Sequence, residues 1–297
     1  MAGAVGRLWL RSPAPEDRFE ASSRPRDGRF AHDRRPMPIP IFKGDSPVAT
    51  LGQWFELAGP KGREAQWVDG RSAKECARAW LEEPGTVPRE IAQLLQQLDG
   101  GPLVVSRVEP EALLTFDGHG GPRNADIAMW ASDTHGPVAI TVEAKADESF
   151  DKLLPEVLAT ALERRIQLPA SGALTRATEL ALALFGPRGK GEPGLDRMRY
   201  QLMTAIAGTL AMAQRHNASR AALLVHEFHS AQTSRAKLKS NAKDLDVFVK
   251  RLSRGAVTAV EPGVLHGPFT VPGAPLFAEP ASLYVGKAIR VVGEPTP

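Results

Sequence analysis

Two apolar runs separated by a turn constrain this chain more than anything else in it. ADIAMW at residues 125–130 and PVAITVEAK at 137–145 flank the turn-like SDTHGP. Alternating runs around such a turn read as a β-hairpin. A period of two puts Val138, Ile140, Val142 and Ala144 on one face of the second strand, and Thr141, Glu143 and Lys145 on the other. A turn centred between Thr134 and His135 pairs Ala131 with Val138, Met129 with Ile140 and Ile127 with Val142. That register gathers the apolar side chains on one face, as cross-strand pairing requires. It also sets Asp126 opposite Glu143, with Lys145 on the same face.

Two facing carboxylates repel unless something positive sits between them. A divalent ion meets that need. Mg²⁺, or Mn²⁺ in its place, takes hard oxygen ligands and keeps several waters, so Asp126, Glu143 and the backbone carbonyl of Ala144 make a candidate metal site. Lys145 is placed to orient an attacking water or to stabilise charge developing on a phosphate. Asp147 continues the alternation as an accessory acid or a partner for Lys145. The plain alternative is a solvated hairpin face that happens to carry an Asp, a Glu and a Lys.

The remaining pattern is mostly helical. A short helix or turn is expected over residues 50–59. A second spans 72–83, with Ser72 as N-cap and Glu75 completing a capping box. A third spans 87–98, with Pro88 in its first turn and Ile91, Leu94, Leu95 and Leu98 as its apolar stripe. A short strand follows at 103–108, and 109–116 is ambiguous. After the hairpin come helices at 149–166, starting beyond Pro155, at 174–186, stopped by Gly186 and Pro187, and at 195–216. A buried strand at 221–228, a helix at 241–252 and a last strand at 282–292 complete the order. The fold class is therefore α/β: a central mixed sheet that contains an antiparallel hairpin and is flanked by helices. Three regions follow: an Arg/Pro-rich arm over 1–38, a main domain over 39–254, and a Gly/Pro-rich extension over 255–297 with a candidate edge strand.

Charge narrows the function classes. The formal net charge is +3, and residues 1–40 carry all of it, with eight arginines against five acids. The body sums to zero, which argues against a broad basic surface and leaves any nucleic-acid contact to a local patch. The basic run with Arg235, Lys237 and Lys239 is a candidate phosphate-contacting loop. The single cysteine, Cys76, allows neither an internal disulfide nor a cysteine zinc cluster, and its helical neighbours mark it as a buried apolar residue. No signal-like or membrane-spanning run stands out, so a soluble cytoplasmic protein without membrane partners is expected. The His-Glu-Phe-His at 226–229 lacks the spacing of a zinc peptidase helix. The loop GPRGKGEPG at 186–194 lacks the Ser or Thr that follows a P-loop lysine.

Asp126 on one strand, followed by Glu143-Ala144-Lys145 on the next, resembles the PD-(D/E)XK nuclease superfamily, the restriction-endonuclease-like fold. Ala125 stands where that motif often has proline. The resemblance covers residues 90–230. It implies an αβββαβ core and Mg²⁺-dependent hydrolysis of phosphodiesters, with DNA the expected partner and a homodimer a candidate assembly. It further implies an upstream metal-binding Glu, for which Glu90, Glu109 and Glu111 are candidates. A Gln or Tyr near the phosphate on a following helix is also implied, which brings in Arg199 and Gln201. Two alternatives stand beside it: a non-catalytic interaction or regulatory protein on the same scaffold, and a metal-dependent hydrolase of a small substrate.

Overall fold

The computed structural model describes residues 39–83 and 85–293. The arm expected over 1–38 lies outside them. A minute hairpin, β1 (Phe42–Lys43) and β2 (Ser46–Pro47), leads into three helices: α1 (Leu51–Ala58), α2 (Ser72–Leu81) and α3 (Arg89–Leu95). Then come β3 (Val104–Leu114), β4 (Arg123–Asp133) and β5 (Gly136–Lys145), followed by α4 (Leu154–Gln167), α5 (Ala173–Leu184) and α6 (Tyr200–Arg215). The chain ends with β6 (Arg220–His229), α7 (Arg235–Leu252), β7 (Leu265–Phe269) and β8 (Ser282–Val291).

Six of these strands form one sheet in the order β3-β4-β5-β6-β8-β7. β3, β4 and β5 are antiparallel neighbours, β5, β6 and β8 run parallel, and β7 closes the far edge antiparallel to β8. This is a mixed sheet containing an antiparallel hairpin. One face carries Ile127, Met129, Ile140, Val142 and Leu224 against Trp54, Cys76, Trp80, Ile91 and Leu94 of α1–α3. The other carries Ala128, Leu223, Val225 and Leu283 against Leu180 of α5, Leu202 and Ile206 of α6, and Phe248 of α7. Each parallel strand is thus covered on both faces, as parallel pairing demands.

The hairpin register is the one its alternation specifies, running from Asp133–Gly136 to Ile127–Val142 around Thr134 and His135. Gly136, at φ +101°, supplies the left-handed conformation at the turn exit. The ladder stops one step short of Asp126 and Glu143, so those two are not a regular cross-strand pair. The cause lies in the neighbouring strand. Val108 packs with the α1–α3 layer, whereas Ala112 and Leu114 pack with the α5–α7 layer, and Ile127 and Ala125 divide in the same way. The alternation slips at Glu111, which sits at φ +50°, and both strands rotate there.

Several element ends differ from the sequence pattern for local reasons. Residues 109–114 continue β3, because Pro110 is tolerated in a strand at the sheet edge. Ser72 is the first helical residue of α2 and Arg71 is its cap. The expected box does not form, because Glu75 accepts from the Gly70 N–H at 2.7 Å and Ser72 donates to Glu148 at 3.1 Å. α4 starts at Leu154, with Pro155 inside its first turn. The long helix begins at Tyr200, not 195. Residues 198 and 199 are extended, with Leu154 N bonded to Met198 O and Tyr200 N to Lys152 O. α7 begins at Arg235, where the Ser234 N–H is held by Asp147 at 3.1 Å, so the basic run expected as a loop is its first turns. β8, expected at an edge, lies between β6 and β7.

Ile140, fully buried opposite Met129, joins the hairpin to the α1–α3 layer. Ile140→Ala is expected to lower the unfolding free energy by about 2–5 kcal/mol in denaturant titrations. Leu162→Ala, on the exposed side of α4, should cost under about 1 kcal/mol in the same titration.

Candidate active site

Glu143 and Lys145 lie at the C-terminal end of β5, beside its parallel neighbour β6, where Lys145 pairs with Glu227. Crevices beyond the carboxyl ends of parallel strands are the usual place for ligands in such sheets. Glu143 is almost completely buried. Its Oε2 accepts from Arg123 of β4. Its Oε1 lies 3.1 Å from Lys145 Nζ and accepts from the Gln201 amide of α6. Gln201 turns its own oxygen to Lys145 Nζ at 3.1 Å, so one amide bridges the acid and the base. Burial alone would raise the Glu143 carboxyl, but the Arg123 and Lys145 charges outweigh it and hold Glu143 below the usual carboxylate range.

Asp126 sits where β4 leaves β5. Its Oδ2 accepts from the Ala144 N–H at 2.7 Å, taking the place of the next ladder carbonyl. Ala144 was expected to offer its carbonyl; the bond seen there is its N–H. No cation is bonded to Asp126 among the described contacts. Burial, and after it the Glu143 and Glu111 charges, push its carboxyl well above the usual range. Glu111 falls between the ladder pairs Pro110–Ile127 and Ala112–Ala125, the position opposite Asp126. It accepts from the Asn124 amide, and burial together with the Glu143 charge raises it too, against the opposing pull of Asn124. Among the described residues, no three His, Cys, Asp or Glu side chains are grouped as a metal site.

The three residues that hold Glu143 open onto a cleft of about 870 Å³. Lys61, Arg123, Lys145 and Arg176 line it, against the acids Glu148 and Asp151. A larger cavity of about 1280 Å³ beside the start of β3 has no ionisable side chain in its lining.

Other candidates are placed elsewhere. Glu90 accepts from Arg290 at 2.6 Å and bonds His226 at 2.7 Å, on the α3 side of the sheet. Burial would raise it, but those bonds hold it at about 2. Asp147 pairs with Arg71 and caps α7 at Ser234, without touching Lys145. Arg199 is bonded to Asp244 at 2.8 Å and to the Asp151 carbonyl at 2.8 Å. Arg235, Lys237 and Lys239 lie on α7 outside the cleft lining, with Lys237 Nζ 3.9 Å from Asp147. Sequence reasoning missed Arg123, Lys61 and Arg176. Arg123 has a readable signal, since it lies three residues before Asp126, and β4 starts there, two residues ahead of the Ala125 expected from the apolar run.

Fold and site together define a mixed α/β protein whose sheet presents a buried acid–base cluster to a cationic cleft. The chain belongs to the DUF6946 family, a domain of unknown function, whose model matches residues 47–282 and so contains every residue of the cluster. Neither the curated proteins nor the solved structures contain a match to it. Among the described residues, no helix is long and apolar enough to cross a membrane.

The raised Asp126 has a consequence for stability. Below an ordinary carboxyl's 3.8 the group is protonated whether the chain is folded or not, and contributes nothing. As pH rises above that value the unfolded chain releases the proton more readily, so Asp126 increasingly destabilises the fold. Asp126→Asn keeps an oxygen for the Ala144 N–H. In chelator-containing buffer it should raise the melting temperature at pH 7, by a margin that shrinks as pH falls toward 4. A margin that stays constant across that range would exclude an elevated Asp126.

Proposed function

We propose that this protein hydrolyses phosphodiester bonds in nucleic acid, DNA foremost, in a Mg²⁺-dependent reaction at a PD-(D/E)XK-type site on a restriction-endonuclease-like scaffold. The observation that carries the reading is the convergence of Asp126, Glu143, Lys145 and Gln201 at the point where β4 parts from β5, beneath a cleft richer in cations than in acids. The order α3, β3, β4, β5, α6, β6 supports it, matching the core implied by the resemblance once α4 and α5 are set aside as insertions.

The donor set suits a hard cation. Asp126 is a carboxylate without a bonded cation, and Glu143 is a second one beyond the end of the same ladder. Held by these two with water completing its shell, Mg²⁺ would supply Lewis acidity and a water of lowered pKa. Lys145 supplies positive charge where the phosphate becomes more negative in the transition state. Gln201, bonded to both Glu143 and Lys145, fixes the distance between them. Lys61 adds charge at the cleft wall that draws a phosphate backbone inward.

The test is cleavage of linear, supercoiled and single-stranded DNA and of RNA, with Mg²⁺ or Mn²⁺. Lys145→Ala and Asp126→Ala should each reduce the rate by roughly 10²–10³-fold, the scale of losing one group that stabilises transition-state charge. The reading fails if no substrate is cut, or if both variants cut at the wild-type rate.

A further inference from the structure

Both oxygens of Glu143 are already occupied. Oε1 is shared by Lys145 and Gln201, and Oε2 is bonded to Arg123. Two fixed cations therefore neutralise one carboxylate in a site where Asp126 has none. A divalent ion brought to Glu143 needs an oxygen lone pair facing it, and would stand beside a guanidinium and an ammonium of its own sign. Arg123 cannot yield by losing its proton, because a guanidinium stays charged in proteins.

The path of Arg123 is built into the packing. Its side chain is 9% exposed, and it runs from the start of β4 beneath α6 to reach Glu143. α6 carries Gly208 at that crossing. A Cβ there would stand 3.3 Å from Arg123 Cδ and 3.4 Å from Leu114 Cβ. A glycine inside a helix costs about 1 kcal/mol relative to alanine, and here it leaves room for the arginine stem. Arg123 also lines the cleft.

We infer that Arg123 is a resident competitor for the divalent ion: it holds Glu143 until the ion displaces it into the cleft, and so sets the site's metal affinity. This rests on the metal-dependent reading above. Displacement also gives the guanidinium a second use, since it then faces whatever anion enters the cleft.

The test measures Mn²⁺ alone, by calorimetry and by the electron paramagnetic resonance of free ion, on the full chain freed of metal by chelation. Arg123→Gln should bind Mn²⁺ on the order of tenfold or more tightly than wild type, the effect of removing a charge in direct contact with a carboxylate. Arg123→Lys should fall between the two. Adding Glu143→Gln to Arg123→Gln should abolish the gain. If wild type binds and Arg123→Gln binds equally or more weakly, the competitor role is overturned while the metal site stands. If no variant binds Mn²⁺, the metal reading falls and this inference with it. Should Arg123→Gln not fold by circular dichroism, the wild type decides. Saturating Mg²⁺ must then shift the Arg123 Nε resonance, assigned by its loss in Arg123→Lys, and an unmoved resonance overturns the inference.

Discussion

A carboxylate buried as deeply as Glu143 cannot stay ionised without positive charge beside it, and the arrangement around it follows from that requirement. Three elements answer it. β4 sends Arg123, β5 sends Lys145 two residues on, and α6 sends Gln201. Each must be held in place for the others to matter. If both cations were removed while the carboxylate remained, the buried charge would be left uncompensated. That is far more costly than never having buried the group. The cluster therefore ties the hairpin to α6 alongside the apolar layer between them.

The same requirement explains where the sheet is irregular. A regular continuation of the β4–β5 ladder would place Asp126 and Glu143 side by side with like charge. The strands part instead, and Asp126 takes the Ala144 N–H, so that donor is not orphaned by the split. On the other side of β4, Glu111 adopts a left-handed conformation that costs a non-glycine residue roughly 1 kcal/mol or more. Strain of that kind persists when its surroundings enforce it. Here the enforcing features are the edge strand's change of face and the Asn124 bond to the Glu111 carboxylate.

How much of this could be read from the chain depends on the range of each cause. The hairpin register was legible because period-two alternation over both strands leaves one pairing that buries Ile127, Met129, Ile140 and Val142 together. The helices at α3 and α5 were legible from apolar stripes and stop signals. What was not legible turns on contacts between distant residues. α7 starts early because Asp147, 87 residues away, holds the Ser234 N–H. The capping box at Ser72 fails because Glu148 competes for its hydroxyl. Arg123 reads as a turn residue until Leu114 is known to be its ladder partner and Gly208 its roof. Gln201 entered only through a family resemblance, and its place between Glu143 and Lys145 depends on the backbone at 198 and 199 being extended, so that the helix starts at Tyr200.

Net charge misleads for a related reason. Beyond residue 40 the positive and negative side chains cancel, which from sequence argues against an anionic partner. Cancellation over a whole body says nothing about one concavity. Screening at physiological salt limits each exposed charge to about 8 Å, so a ligand in the cleft responds chiefly to Lys61, Arg123, Lys145, Arg176, Glu148 and Asp151 in its lining and to the Glu143 carboxylate paired with two of them. Of those, Arg123 and Lys145 are spent on Glu143 while that carboxylate lacks any other cation. The cleft's effective charge is therefore not fixed by composition at all. It depends on what Glu143 is bonded to, and a further positive partner for that one carboxylate would turn a nearly balanced pocket into an anion-attracting one.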